Sequence, residues 1–172
     1  YGVPYPTAGM SWEQLFETAS RFPVTGDGEY GLFIDSANLS AFILKIGHSA
    51  GLTYADAEGR ITIDTNSWKH IFSYVLNGVK SGYVATMERT SERPSGTDLL
   101  NSDLFVKGKA AMTVRFYGLH NTMENAKRFS QQYAPVNWDI ATVPGHPGEP
   151  LSATVSFPYI FAINKSSSQI NA

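Results

Sequence analysis

The sequence predicts an α/β fold, a small mixed sheet flanked by helices, and three observations carry that expectation. Two apolar runs, at residues 30–35 and 110–115, have strand length and no usable polar–apolar alternation, as strands covered on both faces do. Three other stretches repeat apolar residues at i, i+3, i+4 and i+7, the period of a helix with one buried stripe. The two kinds of segment alternate along the chain between Gly and Pro stops, the order expected of a layered α/β domain.

Pro4, Pro6 and Gly9 make an extended lead into the first helix. Its start is marked by Ser11 with Gln14 at capping-box spacing, and Glu13 favours the positive helix end. Trp12, Leu15, Phe16 and Ala19 form its stripe, Pro23 ends it, and residues 26–28 make a turn. The strand at 30–35 runs into Asp35-Ser36-Ala37-Asn38, a cluster of capping types. A second helix follows with Leu39, Phe42, Ile43, Ile46 and Ala50 in period, stopped by Gly51. Residues 56–59 read as a turn and 61–63 as a short strand. Asp64 or Thr65 caps the clearest helix, with Trp68, Ile71, Phe72, Val75, Leu76 and Val79 on its apolar face and Gly82 at its end. Trp68, Phe72, Val75 and Leu76 are expected among the most buried residues.

Residues 87–97 turn polar around Pro94 and Gly96 and read as a mobile surface loop. A helix is expected near 98–107, closed by Gly108, then the strand at 110–115, a weaker helix near 119–129 and a strand at 138–143. Residues 144–150 hold Pro144, Pro147 and Pro150 with two glycines and read as a linker or crossover. A last strand at 154–164 carries Pro158, which suits an edge or a bulge.

Composition narrows the function. Thirteen basic against fifteen acidic residues leave a net charge of −2, and the basic residues are scattered, so no field draws the chain to nucleic acid or an anionic membrane. The absence of Cys excludes disulfides, thiolate metal sites and Cys nucleophiles. No apolar run approaches the ~20 residues of a membrane span. The chain opens at Tyr1 in a turn-like stretch and stops at Ala172 just after a capping-box pair, Ser166 and Gln169. It is therefore expected to be an internal piece of a longer protein.

No motif supplies catalysis. His48, His70, His120 and His146 have no partners at metal-ligand spacing, and neither a Gly-x-Ser-x-Gly elbow nor a Gly-rich phosphate loop is present. Neither a metal nor a cofactor is expected. Asp35, Asp139 and Glu149 are the acidic residues a glycosidase pair would draw on, but spacing alone does not bring any two together. Two loops at strand ends remain. Asp35, Ser36 and Asn38 follow a strand where ligands of open α/β sheets sit, and each is equally a capping type for the next helix. Arg115, Phe116 and Tyr117 follow another. Arg offers a fork of donors to hydroxyls or carboxylates, and either ring stacks on a sugar's apolar face or packs in the core.

Four stretches taken together resemble the carbohydrate-type extracellular solute-binding proteins of bacterial ABC importers, relatives of maltose-binding protein. They are Gly2-Val-Pro-Tyr-Pro6 with Gly9-Met-Ser-Trp-Glu-Gln14, Phe105-Val-Lys-Gly-Lys-Ala-Ala-Met112 with Phe116-Tyr117-Gly118, Trp138-Asp-Ile-Ala-Thr-Val-Pro144, and Phe161-Ala-Ile-Asn-Lys-Ser166. The second is the most specific, and the four occur in family order over most of the chain.

The resemblance implies a two-lobed binder, not an enzyme, that closes on a small solute such as a sugar and delivers it to a membrane permease. It implies an extracytoplasmic place, as a surface lipoprotein or in the periplasm, and a monomer. Residues 1–143 would belong to the second, periplasmic-binding-protein-like lobe, 144–150 to the hinge and 151–172 to the segment returning toward the first lobe. Ligand contacts would come from Asp35, Ser36, Asn38, Arg115, Phe116 and Tyr117, with Phe157 and Tyr159 on the returning strand. The chain departs from its relatives where Phe116-Tyr117-Gly118-Leu119 replaces a Gly-x-Trp type segment and Ser156-Phe-Pro-Tyr159 a Gly-rich turn. Carbohydrate-active enzymes and interaction modules without a cleft are the competing classes.

Overall fold

The computed structural model describes residues 2–24, 28–35, 39–87, 103–115, 118–129 and 137–146. Its elements are α1 (Trp12–Ser20), β1 (Tyr30–Ile34), α2 (Leu39–Ser49), α3 (Asn66–Lys80), β2 (Val84–Thr86), β3 (Ala110–Thr113) and α4 (Gly118–Phe129). The class is α/β, as the alternating pattern predicts.

The strands form one sheet in the order β2-β1-β3, and both pairings are parallel. The sheet is thus parallel throughout the described residues rather than mixed. Parallel neighbours need long crossovers, and α2 with α3 supplies the one from β1 to β2. The chain then passes back across the sheet to lay β3 on the other side of β1. The β1–β3 boundary is therefore the point where strand order reverses.

Helix α1 starts as its capping box dictates. Ser11 Oγ accepts from Gln14 N at 3.1 Å, and Gln14 Oε1 accepts from Ser11 N at 2.8 Å. It ends at Ser20, before Pro23, with Arg21 as C-cap. Thr65, not Asp64, caps α3, accepting from Trp68 N. Gly51 and Gly82 follow α2 and α3 with φ of +70° and +80°, the left-handed geometry that stops a helix.

The main core lies between the helices and one sheet face. Trp12, Leu15 and Phe16 from α1, Phe42, Ile43 and Ile46 from α2, and Trp68, Ile71 and Val75 from α3 pack on Leu32, Ile34, Val84 and Met112. Phe33, Ala85 and Ala110 form a smaller cluster with Leu104 and Phe105. Between the two clusters β1 is covered on both sides, which is why its sequence does not alternate.

Several expectations are corrected. Along α3 the buried residues are Trp68, Ile71, Val75 and Gly78, whereas Phe72 is half-buried and Leu76 is 37% exposed. The stripe is narrower than the apolar pattern because the close packing of α1 and β2 falls on the Gly78 side, where a Cβ would meet Val84 at 2.6 Å and Phe16 at 3.2 Å. The strand at 61–63 reduces to a single antiparallel bridge, Ala55 to Ile61, since the turn at 56–60 is closed mainly by Asp56 and Arg60. Residues 104–109 are turns and bends, not the end of a helix, because Asp103 Oδ1 takes the Phe105 and Val106 N–H groups and Ala110 N turns back to Leu104 O. Residues 138–143 form no strand, and β3 stops at Thr113. The loop at 88–97, the helix start at 98–102 and the strand at 154–164 lie outside the described residues.

Tyr74 tests the packing between α1 and α3. Its ring lies 5.1 Å from that of Phe16, and its hydroxyl is buried with no hydrogen-bond partner among the described residues. Burial, then the nearby Glu13 charge, pushes the phenol well above its ordinary range. Tyr74→Phe removes an unsatisfied group and is expected to be neutral or stabilising by up to about 1 kcal/mol at pH 7. The phenol's folded pKa is raised above its unfolded value. Stability from Tyr74 is therefore intact below pH of about 10 and falls as pH rises beyond it, because the unfolded phenol ionises first. Urea midpoints at neutral and alkaline pH should show the variant losing less than the parent; an equal loss would contradict the assignment.

Candidate functional site

Continuing the register Phe33↔Thr113 by two positions sets Asp35 opposite Arg115, just beyond the carboxyl ends of β1 and β3. In an order 2-1-3 sheet this β1/β3 boundary is the switch point where α/β proteins bind ligands. Arg115 Nη2 lies 2.9 Å from Asp35 Oδ1 and 2.6 Å from Asp103 Oδ2. Neither approach follows an N–H direction well enough to make a hydrogen bond, so charge attraction holds the group. Arg115 Nε is also buried and has no hydrogen-bond partner among the described residues. The guanidinium carbon stands 5.7 Å above the centre of the Phe33 ring, so the side chain lies back over the smaller cluster as a lid.

The two carboxylates differ. Asp103 is 4% exposed, and its Oδ1 accepts from Phe105 N at 2.9 Å and Val106 N at 3.0 Å, which fixes it to the turn before β3. The Asp35 side chain is 30% exposed. Burial raises the Asp35 carboxyl above its ordinary value, Arg115 pulls it down, and Asp103 and Lys45 push in opposite directions. Two carboxylates share one guanidinium and the Lys45 charge also reaches Asp35, so the charges are close to balanced, which suits an uncharged hydroxyl group.

A cavity of about 510 Å³ runs along β3, lined among others by Met112, Arg115, Leu119, Met123, Trp138 and Val143. Its size falls in the usual range for small-molecule sites, ~300–1,000 Å³. Arg115 alone belongs to both cavity and ion cluster; Asp35 and Asp103 do not line it. The charged cluster is the better-defined site, because its residues are held by named contacts at a topological switch. Trp138, whose ring meets His120 edge-on at 5.3 Å, is one aromatic face the cavity offers, with Tyr5 and Phe105 also in its lining.

Of the sequence candidates, Asp35 and Arg115 are brought together. Ser36, Asn38, Phe116, Tyr117, Phe157 and Tyr159 lie outside the described residues, as does Glu149. Asp139 is exposed and accepts from Ile140 N, its own neighbour. Asp103 and Trp138 were missed as site residues. The only signal for Asp103 was its type, a side chain that readily accepts from backbone two or three residues on.

Ser49 and His146, far apart in sequence, also meet. His146 Nε2 lies 3.3 Å from Ser49 Oγ and 3.1 Å from Ile46 O, while Trp12 Nε1 donates to Ser49 Oγ at 3.0 Å. Ser49 Oγ in turn donates to Ile46 O at 2.7 Å. A carbonyl only accepts, so Nε2 carries a proton and cannot serve as the base for Ser49. The arrangement is a clasp. With Gly145, which bridges Ser11 through Trp12 N to Gly145 O and Gly145 N to Met10 O, it fastens the Pro-rich segment to the start of α1 and the end of α2. That segment was expected to hold no regular structure, and Gly145 makes one parallel bridge.

No helix among the described residues is long and apolar enough to cross a membrane, and no cluster of metal-ligating side chains occurs among them. No family model, curated protein or solved structure matches the chain.

Proposed function

We propose that the chain is the solute-binding component of an ABC importer, an extracytoplasmic carrier that takes up a sugar or oligosaccharide between two lobes and hands it to a membrane permease. The observation that carries this reading is the meeting of Asp35 and Arg115 at the β1/β3 switch point. There a carboxylate and a guanidinium offer an acceptor and donors side by side, the pairing that a hydroxyl, itself donor and acceptor, satisfies. The aromatic wall at Trp138 suits the apolar face of a ring. Resemblance of the four sequence stretches to solute-binding proteins adds the two-lobed form, in which residues 1–143 are mainly one wall of the cleft. A binding rather than catalytic role is favoured because the Ser49–His146 contact is a clasp and Arg115 is already neutralised by carboxylates.

Calorimetry of the full-length gene product against a panel of neutral mono- and oligosaccharides tests the reading. Arg115→Ala is expected to weaken the bound saccharide by about 10- to 150-fold, the loss of a charged hydrogen bond worth ~1.5–3 kcal/mol. Asp35→Asn should also weaken binding, yet cost no stability. Burial raises the Asp35 carboxyl, so its ionised form is disfavoured in the fold and the amide relieves that penalty. A panel with no binder, or affinities that neither substitution changes, would overturn the proposal.

A further inference from the structure

Arg115 touches two carboxylates, and the structure distinguishes what each does. Asp103 is almost fully buried, approaches Nη2 at 2.6 Å, and is itself fixed by two backbone N–H groups. Asp35 is 30% exposed on its side chain, stands slightly farther away at 2.9 Å, and follows the last residue of β1. A charge held on three sides by the fold moves only if the turn at 104–109 unravels. A carboxylate at an open strand end, held by one ion contact, exchanges partners without disturbing the sheet.

We infer that Asp103 is a positioning residue: it holds the guanidinium over Phe33 and so leaves Asp35 as the exchangeable carboxylate that turns to a ligand. This assignment rests on the proposed binding role for its purpose but not for its test. Without the Asp103 charge, Arg115 has Asp35 as its sole close counter-ion among the described residues, and that pair tightens. Asp35 would then be tied up, and its acceptor oxygens would reach a hydroxyl only by breaking the ion pair. The site's polarity follows as well: a donor-rich, uncharged ligand displaces Asp35 from Arg115 without stripping the guanidinium of its remaining carboxylate.

The experiment follows the Asp35 side-chain carboxyl by carbon NMR through a pH titration of the chain, in the parent and in Asp103→Asn, with Asp103→Glu as the conservative variant. Asn keeps an oxygen for the Phe105 and Val106 N–H groups while losing the charge. Among the described residues the charged groups that face Asp35 are Arg115, Asp103 and Lys45, and removing the Asp103 charge takes away one that raises its titration midpoint. The Asp35 midpoint is therefore expected to fall in Asp103→Asn and to return toward the parent value in Asp103→Glu. A midpoint that does not move in Asp103→Asn overturns the inference, since Asp103 and Asp35 would then not act on each other through the shared guanidinium.

A second measurement uses the parent alone, should the Asn variant fail to fold. Nitrogen relaxation of Arg115 Nε across the Asp35 titration should stay that of an ordered side chain, because Asp103 keeps its hold as Asp35 protonates. Loss of order at the Asp35 midpoint would show that Asp35 is the anchor and would overturn the assignment. Absence of saccharide binding would count against the proposed function and leave both readouts standing.

Discussion

Trp68→Ala is expected to lower stability by about 3–5 kcal/mol, a large share of the ~5–15 kcal/mol that holds a domain together. The indole is 1% exposed at the contact between α2 and α3, packs 6.4 Å from the Phe72 ring, and donates through Nε1 to Thr53 O at 3.1 Å. Its rim fills the space above Gly47, where an added Cβ would stand 2.0 Å from the ring. That contact makes the prediction specific. Gly47→Ala in the parent should destabilise, because a buried ring fixed at both ends cannot retreat. In the Trp68→Ala background the same change should be neutral or stabilising, since the obstruction is gone and Ala is the better helix former by ~1 kcal/mol. Urea unfolding of the four chains gives the coupling, and an effect of Gly47→Ala with the same sign in both backgrounds would contradict the packing described.

Gly31→Ala is expected to be about as severe, ~3 kcal/mol or more, for a different reason. Gly31 lies in the central strand β1, and a Cβ there would sit 2.0 Å from Ala19 O, 2.7 Å from Ala19 C and 2.8 Å from Ala19 Cα. Those atoms are backbone, and Ala19 O accepts from Phe22 N at the end of α1. No rotamer change relieves the overlap, so α1 and β1 must separate, opening the main core at its centre. Ala19→Gly should fail to rescue the variant because it removes only a side chain. An unchanged urea midpoint in Gly31→Ala would show that α1 does not press on β1 as described.

The local code was legible in residues that act on near neighbours. The capping box of Ser11 and Gln14, the Thr65 cap, the Gly51 and Gly82 stops, and the two-sided burial of β1 all depend on groups a few residues apart or on average apolar character. β2 escaped notice because Val84–Thr86 is only three residues long and carries no period. It is a strand because β1 offers it a parallel partner. The phase of α3 was readable only in part: an apolar face wider than its contact leaves Leu76 partly exposed, and which edge is left depends on where α1, α2 and β2 stand.

The candidate site divides the same way. Asp35 and Arg115 could be singled out by sequence because each follows an apolar run and carries chemistry that a ligand uses. Their meeting, and the third member of the cluster, could not. Asp103 lies far from Asp35 along the chain, and nothing in the spacing of the three residues marks them as neighbours. The parallel register of β1 with β3 places Asp35 beside Arg115, and the turn at 104–109 folds back to bring Asp103 against the same guanidinium. Capping and helical periodicity reach over three to seven residues and are written in the chain itself, whereas strand order and register come from burying two faces of one sheet at once. The sequence alone therefore determined the α/β class, most helix boundaries and the residues with chemistry to offer. Tertiary packing decided the parallel sheet, its reversal beside β1, and which carboxylate anchors Arg115 while the other stays exposed.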